Sequence, residues 1–173
     1  MVAALLDDIV MTDYRSFTIQ WNLGDGFDGD PDTVFAGQEN GLVGAASPLF
    51  LFMVLGRRSG GSSVRIELSA TEPEDDATWE DCVEVSTRVP EGSRPFWAGW
   101  GGMSFGYLDI PPGPYRVRVL ARGRQAGSDG EFEPEVVDFY CLQFWPAEER
   151  LDRIVRVGGP DAEYWHDAWG RRR

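Results

Sequence analysis

The sequence predicts an all-β protein, built as an antiparallel two-sheet β-sandwich with a short helical C-terminal segment. Several segments alternate apolar and polar residues with a period of two, which is typical of half-buried strands. The 21 glycines and 11 prolines indicate many turns. The seven tryptophans and ten phenylalanines favour the wide packing surfaces of a sandwich over a helix bundle.

The length predicts one domain. A chain of 173 residues can bury a full core, and we assign residues 1–173 to a single β-sandwich domain. We place its core strands at about residues 13–145 and a helical tail at 147–170. The apolar fraction of 42% is that of a globular chain.

The first half of the chain contains strand patterns of unequal clarity. Residues 5–11 have a weak pattern, whereas Asp13–Trp21 alternates well and predicts a strand. Gly41–Ala46 fits an edge strand or a loop rim. The apolar run Pro48–Leu55 is short and rich in phenylalanine, which favours a buried strand. Val64–Ala70 alternates again after a glycine-rich turn, so we predict a hairpin between these last two segments.

The second half contains the clearest alternation. Trp79–Val89 predicts a strand, and Phe96–Gly102 is an aromatic, glycine-rich stretch. Met103–Ile110 and Tyr115–Arg122 flank a turn of three prolines and a glycine, so we predict a second hairpin there. Val136–Trp145 is apolar on both sides and therefore predicts a central strand.

The C-terminal region has helical spacing. Ala147–Val157 places apolar residues at helical intervals and predicts a short helix. Asp161 is a candidate cap for a final helical turn that includes Tyr164 and Trp169. We expect Arg171–Arg173 to be frayed.

The charge is strongly acidic. There are 29 Asp and Glu residues against 16 basic residues, all of them arginine, which gives a net charge of −13. This balance argues against direct nucleic-acid binding, because phosphate contacts need a basic surface. It suits a basic protein partner, whose field would be complementary. Solubility is the alternative explanation.

The sequence predicts a cytoplasmic protein. Met1–Met11 lacks a basic start, and Asp7 and Asp8 interrupt its apolar run, so it does not fit a secretory signal. The longest apolar run is too short to cross a bilayer. Cys82 and Cys141 are then expected to be reduced, and they form no CxxC motif for zinc.

Catalytic signals are weak, and we expect no enzyme activity. His166 is the single histidine, so any triad would have to use it, yet the chain has no GxSxG motif. We interpret His166 as a half-exposed residue on an aromatic rim. Paired carboxylates remain an alternative, but no pair stands out among the 29 acids.

A glycine- and aspartate-rich loop is a candidate calcium site. Asp28, Asp30, Asp32 and Glu39 have the spacing of EF-hand ligands, but Thr33 stands where that loop needs glycine. This departure argues against an EF-hand. A looser calcium-binding loop remains an alternative to an ordinary turn cluster. We expect no other cofactor.

Two polar or aromatic groups are candidates for partner binding. Arg116, Arg118 and Arg122 lie on the face of their strand opposite its apolar residues. They fit either an interface stripe or cross-strand ion pairs. Trp97 and Trp100, separated by small residues, fit either an exposed aromatic platform or core packing.

With these residues, the chain resembles the bacterial competence protein J family, inhibitors of a DNA-entry nuclease, and related small proteins. The likeness covers Met11–Gln20, Phe50–Leu55, the segment LDIPPGPYRVRV (Leu108–Val119) and Val136–Trp145. It implies a β-sandwich that binds and blocks a protein. It assigns no inhibitory residue, and the segment Tyr164–Trp169 lies outside it.

Three functions follow in order of preference. The first is a non-enzymatic inhibitor or immunity-type protein that masks a basic partner such as a nuclease or toxin. The second is a carbohydrate- or small-molecule-binding sandwich, assisted by calcium. The third is a hydrolase that uses paired carboxylates.

Overall fold

Two β-sheets pack face to face in the computed structural model, which describes residues 1–25 and 29–173. The six strands of the first sheet are, in spatial order, β1 (Val2–Thr12), β5 (Gly60–Ser69), β10 (Phe139–Pro146), β9 (Gly113–Arg122), β6 (Asp81–Val89) and β11 (Arg153–Arg156). The five strands of the second sheet are β3 (Val43–Gly44), β4 (Phe50–Val54), β2 (Ser16–Gln20), β7 (Phe96–Gly99) and β8 (Phe105–Tyr107).

Helices are few and short. They are α1 (Pro31–Val34), α2 (Arg124–Asp129) and α3 (Pro160–Trp169), with a 3-10 turn at Trp100–Gly102. In the described ranges, no helix combines the length and the apolar character needed to cross a membrane. The predicted two-sheet sandwich with a short C-terminal helix is confirmed.

The main core fills the space between the two sheets. On β9, Tyr115, Val117, Val119 and Ala121 all face this core, as their alternation predicted. β2 contributes from the other sheet in the same way, because its apolar residues alternate with polar ones that face outward. Period-two patterning therefore predicted correctly which side chains of these strands face the core between the sheets.

Strand pairing differs from the prediction. β4 and β5 lie in different sheets, and so do β8 and β9, so neither predicted hairpin forms. The proline-rich turn instead carries the chain from one sheet to the other. β10 pairs with β5 in parallel, whereas the other pairs are antiparallel in the part of the chain that is described. Alternation specifies the two faces of a strand but not its neighbours.

Both ends of the chain contain more ordered structure than predicted. β1 precedes the predicted strand range, and residues 153–156 form β11 beside β6 rather than a helix. The predicted fraying is wrong, because the backbone N–H groups of Arg171 and Arg172 donate to the carbonyls of Glu39 and Gln38 at 3.0 and 2.8 Å. Asp161 does not cap α3; it pairs with Arg124 at 2.9 Å.

The two cysteines are free and buried. Cys82 on β6 and Cys141 on β10 both lie opposite Leu120, on either side of β9. Two strand spacings, about 10 Å, therefore separate their backbones, which is too far for a disulfide. Burial raises the pKa of Cys82 to about 11 and that of Cys141 to about 12, so both thiols stay protonated.

α1 and α3 cover one half of the outer face of the five-stranded sheet. Trp165 and Trp169 of α3 pack against a cluster that includes Phe35 and Phe52. His166 also faces inward and is buried, not half-exposed as predicted. Its Nδ1 accepts a hydrogen bond from the Gly41 N–H at 3.0 Å. Burial, and then the nearby Arg124, lower the pKa of His166 to about 4.

We predict that the protein loses stability as the pH falls from 6.5 towards 4. The folded pKa of His166 lies below its ordinary value of 6.5, so the unfolded chain takes up the proton first. The contribution of neutral His166 to the free energy of unfolding is complete above pH 6.5. About 3 kcal/mol of that free energy is lost by pH 4. Urea unfolding at several pH values measures this change.

The matched control is His166→Gln, which cannot be protonated. Its free energy of unfolding should vary less between pH 6.5 and 4.5 than that of the wild type. Equal pH slopes in the two proteins would contradict the role assigned to His166.

Candidate functional site

An open groove crosses the half of the five-stranded sheet that the helices leave uncovered. It has a volume of about 500 Å³ and lies on the outer face of β2, β7 and β8. We call it the aromatic groove. Its lining residues are Ser16, Thr18, Gln20, Leu23, Gly24, Phe96, Ala98, Gly99, Trp100, Gly101, Gly102 and Phe105.

The floor of the aromatic groove comes from strand alternation. Because apolar residues of β2 face the core, Ser16, Thr18 and Gln20 face the groove. The Gln20 side-chain amide donates to the Thr18 hydroxyl at 2.9 Å, and that hydroxyl donates to the Ala98 carbonyl at 3.4 Å. These bonds occupy the Thr18 hydroxyl and the Gln20 side-chain NH2 group. Most of the other residues that line the groove are apolar or glycine, so the groove offers a ligand mainly apolar contacts.

The rim of the groove is aromatic and exposed. Trp100 is 44% exposed and Phe105 is 57% exposed. The ring of Tyr14 lies 4.9 Å from that of Trp100 and extends the aromatic surface. Aromatic side chains of this kind dominate the energetics of protein interfaces.

Trp100 is held by the backbone around it. The backbone N–H of Trp100 donates to the Thr12 hydroxyl at 3.2 Å, which ties the 3-10 turn to the end of β1. Gly101 and Gly102 follow with φ of 59° and 71°, values that favour glycine. The glycines beside this tryptophan therefore permit the turn that presents its ring.

Trp97 has a different environment from Trp100. It is 9% exposed, and its ring stacks on Phe17 in the core at 6.1 Å. Of the two alternatives that the sequence offered, core packing describes Trp97 and an exposed ring describes Trp100. The Trp97 ring lies under β8 and so supports the groove from its core side. It packs so closely against Gly106 that a Cβ there would lie 2.7 Å from the Trp97 Nε1.

Arg116 and Arg118 do not form an exposed stripe. They are 3% and 4% exposed, and both reach Glu84 on β6. Arg118 Nη2 lies 2.9 Å from Glu84 Oε1, and Arg116 Nη2 lies 3.4 Å from Oε2. The guanidinium of Arg118 also packs over the Trp145 ring at 5.3 Å.

Loops cover this face of the six-stranded sheet, which explains the burial. Arg118 donates to the Pro73 carbonyl at 2.7 Å, and Arg116 donates to the Arg150 carbonyl at 3.1 Å. Arg122 stays exposed, with its guanidinium 5.1 Å from the centre of the Trp79 ring. Only Arg122 of the predicted row is therefore accessible to a partner.

The acidic loop has structural roles at the residues that are described. The Asp30 carboxylate caps α1 by accepting from the Asp32 N–H at 2.9 Å, and Asp32 pairs with Arg172 at 2.9 Å. The backbone N–H of Glu39 donates to Asp152. Asp28 lies outside the described residues. Within residues 1–25 and 29–173, no three His, Cys, Asp or Glu residues are grouped to hold a metal ion. Calcium binding stays a prediction.

A smaller cleft contains two buried carboxylates. Asp81 and Asp161 line a cavity of about 230 Å³. Asp161 is paired with Arg124, and Asp81 accepts from the Gly158 N–H at 2.7 Å. Burial raises the pKa of Asp81. These bonds tie β6 to the loop before α3 and tie α2 to α3, so the cleft has a structural explanation.

Comparison with solved structures supports the fold. Competence protein ComJ of Bacillus subtilis, an inhibitor of the DNA-degrading activity of NucA, matches with a TM-score of 0.57 and 15% identity over 85% of this chain and 99% of that one. The crocagin biosynthetic gene J product matches with a TM-score of 0.53 and 14% identity over 86% and 99%. No family model and no curated protein matches significantly. The predicted resemblance to competence protein J is confirmed in the fold.

We predict that Glu84→Gln destabilises the protein by about 3–5 kcal/mol, because it removes the one buried carboxylate that Arg116 and Arg118 share. Glu72→Gln is the matched control. Glu72 also pairs with Arg118, but its side chain is 53% exposed, so its loss should cost about 1 kcal/mol or less. Urea denaturation measures both changes, and equal values would contradict the buried network.

Proposed function

We propose that this chain is a non-enzymatic protein-binding module that inhibits a basic partner such as a nuclease or toxin, and that the aromatic groove is its contact surface. The observation that carries the proposal is the exposed Trp100 and Phe105 on an otherwise uncovered sheet face. Single exposed rings are ordinary on protein surfaces, but exposed aromatic side chains grouped along one groove are typical of an interaction site.

The groove has the features of an interface centre. Tryptophan and tyrosine are enriched among residues that dominate binding energy, and they work best in a concave, desolvated setting. The backbone of Trp100 is held by its bond to Thr12, so the turn is formed before a partner binds and its ordering adds no entropy cost. Exposed Arg122 belongs to the opposite sheet and lies outside this surface.

The net charge of −13 supports a basic partner. Among residues 1–25 and 29–173, none that lines the groove is charged. The net charge would therefore act over distance by speeding encounter, while apolar contacts hold the complex. The similar fold of ComJ, which inhibits a nuclease, supports the same class of function.

The test adds this chain to purified nucleases that have a basic surface. It measures inhibition as DNA degradation and measures binding by calorimetry. We expect Trp100→Ala to weaken binding at least about tenfold, the effect of losing a central aromatic residue. Low salt should strengthen binding by reducing charge screening.

The matched control is Tyr164→Ala on α3. Tyr164 is 62% exposed and does not line the groove, so binding should be unchanged. Equal loss in both variants would contradict the groove as the contact surface. Full DNA degradation in the presence of the wild-type chain would contradict the inhibitor function.

A small-molecule or carbohydrate ligand is a second candidate, because the groove volume of about 500 Å³ falls within the range of ligand pockets. Rings of the rim would stack on a sugar face. This function requires a rise in melting temperature with millimolar sugar, alone or with calcium. An unchanged melting temperature would remove it.

A further inference from the structure

β1 is an edge strand with one side unpaired. Val2–Thr12 pairs with β5 along its length, and in the described residues no strand pairs with its other side. A long edge strand of this kind is a template on which another extended chain can add.

The hydrogen bonds show which backbone groups face outward. The Ile9 N–H donates to the Asp8 carboxylate at 2.7 Å rather than to β5. The Met11 carbonyl accepts from the Ser104 hydroxyl at 2.9 Å. Residues two apart in an antiparallel strand point their backbone groups to the same side. The open edge therefore presents the backbone N–H and C=O groups of Asp7, Ile9 and Met11. Ser104 covers this edge at Met11.

The side chains along this edge define the chemistry of a partner strand. Asp7 and Asp8 are exposed, and Arg65, the cross-strand neighbour of Asp7, already pairs with Glu67 at 2.8 Å. Ile9 is 56% exposed and adds an apolar surface. Ile9 and Met11 lie on one face of the sheet and Asp8 lies on the other, because side chains alternate along a strand. A strand that alternates apolar and basic residues complements this edge when its apolar side chains lie beside Ile9 and its basic side chains lie beside Asp8.

A second copy of this chain fits the edge less well. Antiparallel pairing of two β1 strands brings their aspartates towards one another, and like charges on paired strands are destabilising. The Asp8 carboxylate also accepts the Ile9 N–H, which protects this edge of the sheet while no partner is bound. An incoming basic side chain would draw the Asp8 carboxylate away from that N–H.

We propose that an extended basic segment of a partner protein adds to β1 as a further strand, pairing at Asp7 and Ile9. This inference rests on the proposed protein-binding function and adds a second contact to it. The two surfaces adjoin, because Thr12 at the end of β1 accepts the Trp100 N–H. A segment bound along β1 is thus directed towards the rim of the aromatic groove.

The experiment uses the full chain and a short capped peptide of alternating lysine and valine as the probe. We expect Ile9→Pro to weaken peptide binding at least about tenfold, because proline removes the outward N–H while the bonds to β5 remain. Ile9→Val is the matched control and should bind like the wild type. The same peptide with alternate amides N-methylated has the same charge and should also bind at least about tenfold more weakly.

Amide hydrogen exchange gives a separate measurement, and the peptide should slow exchange at Asp7 and Ile9. Equal binding of the N-methylated peptide would show charge attraction alone and overturn the proposal. Self-association of the wild type that Ile9→Pro abolishes would identify a second copy as the occupant and also overturn the proposal.

Peptide binding without nuclease inhibition would reject the proposed function but keep the edge site. Inhibition that Trp100→Ala weakens and Ile9→Pro does not would reject the edge site alone.

Discussion

Aromatic packing between α3 and the five-stranded sheet decides which surfaces of this molecule are free. The Trp169 ring lies 5.6 Å from that of Phe35 and 5.9 Å from that of Phe52. This contact fixes α1 and α3 over β3 and β4. The helices are too short to reach further, so β2, β7 and β8 keep an uncovered outer face. The aromatic groove follows from this unequal coverage.

The outer faces of the two sheets differ in which residue types are covered and which are exposed. The six-stranded sheet carries Glu84, Arg116 and Arg118 outside the main core, and loops close over them. The five-stranded sheet carries Trp100 and Phe105 and leaves them exposed. Charged residues are thus structural on one face, and aromatic residues are accessible on the other, which reverses the usual distribution of the two residue types.

That reversal explains how far the sequence could predict the structure. Alternation on β9 identified its core residues, because a period of two follows directly from strand geometry. It did not show that loops cover Arg116 and Arg118, since coverage depends on distant segments. The parallel contact between β5 and β10 has no local signal. Trp97 and Trp100 look equivalent in sequence, yet one lies on the inward side of β7 and the other follows the end of that strand.

A binding role requires that the surface be formed before the partner arrives. The groove meets this condition because two paired strands make its floor and a hydrogen bond from Trp100 to Thr12 fixes its rim. That same bond joins the groove to the end of β1, whose open edge offers directional backbone hydrogen bonds. Apolar contacts supply affinity without direction, whereas strand addition sets the register of an extended segment. The two adjoining surfaces together would therefore select a partner by both shape and sequence pattern, and neither alone would do so.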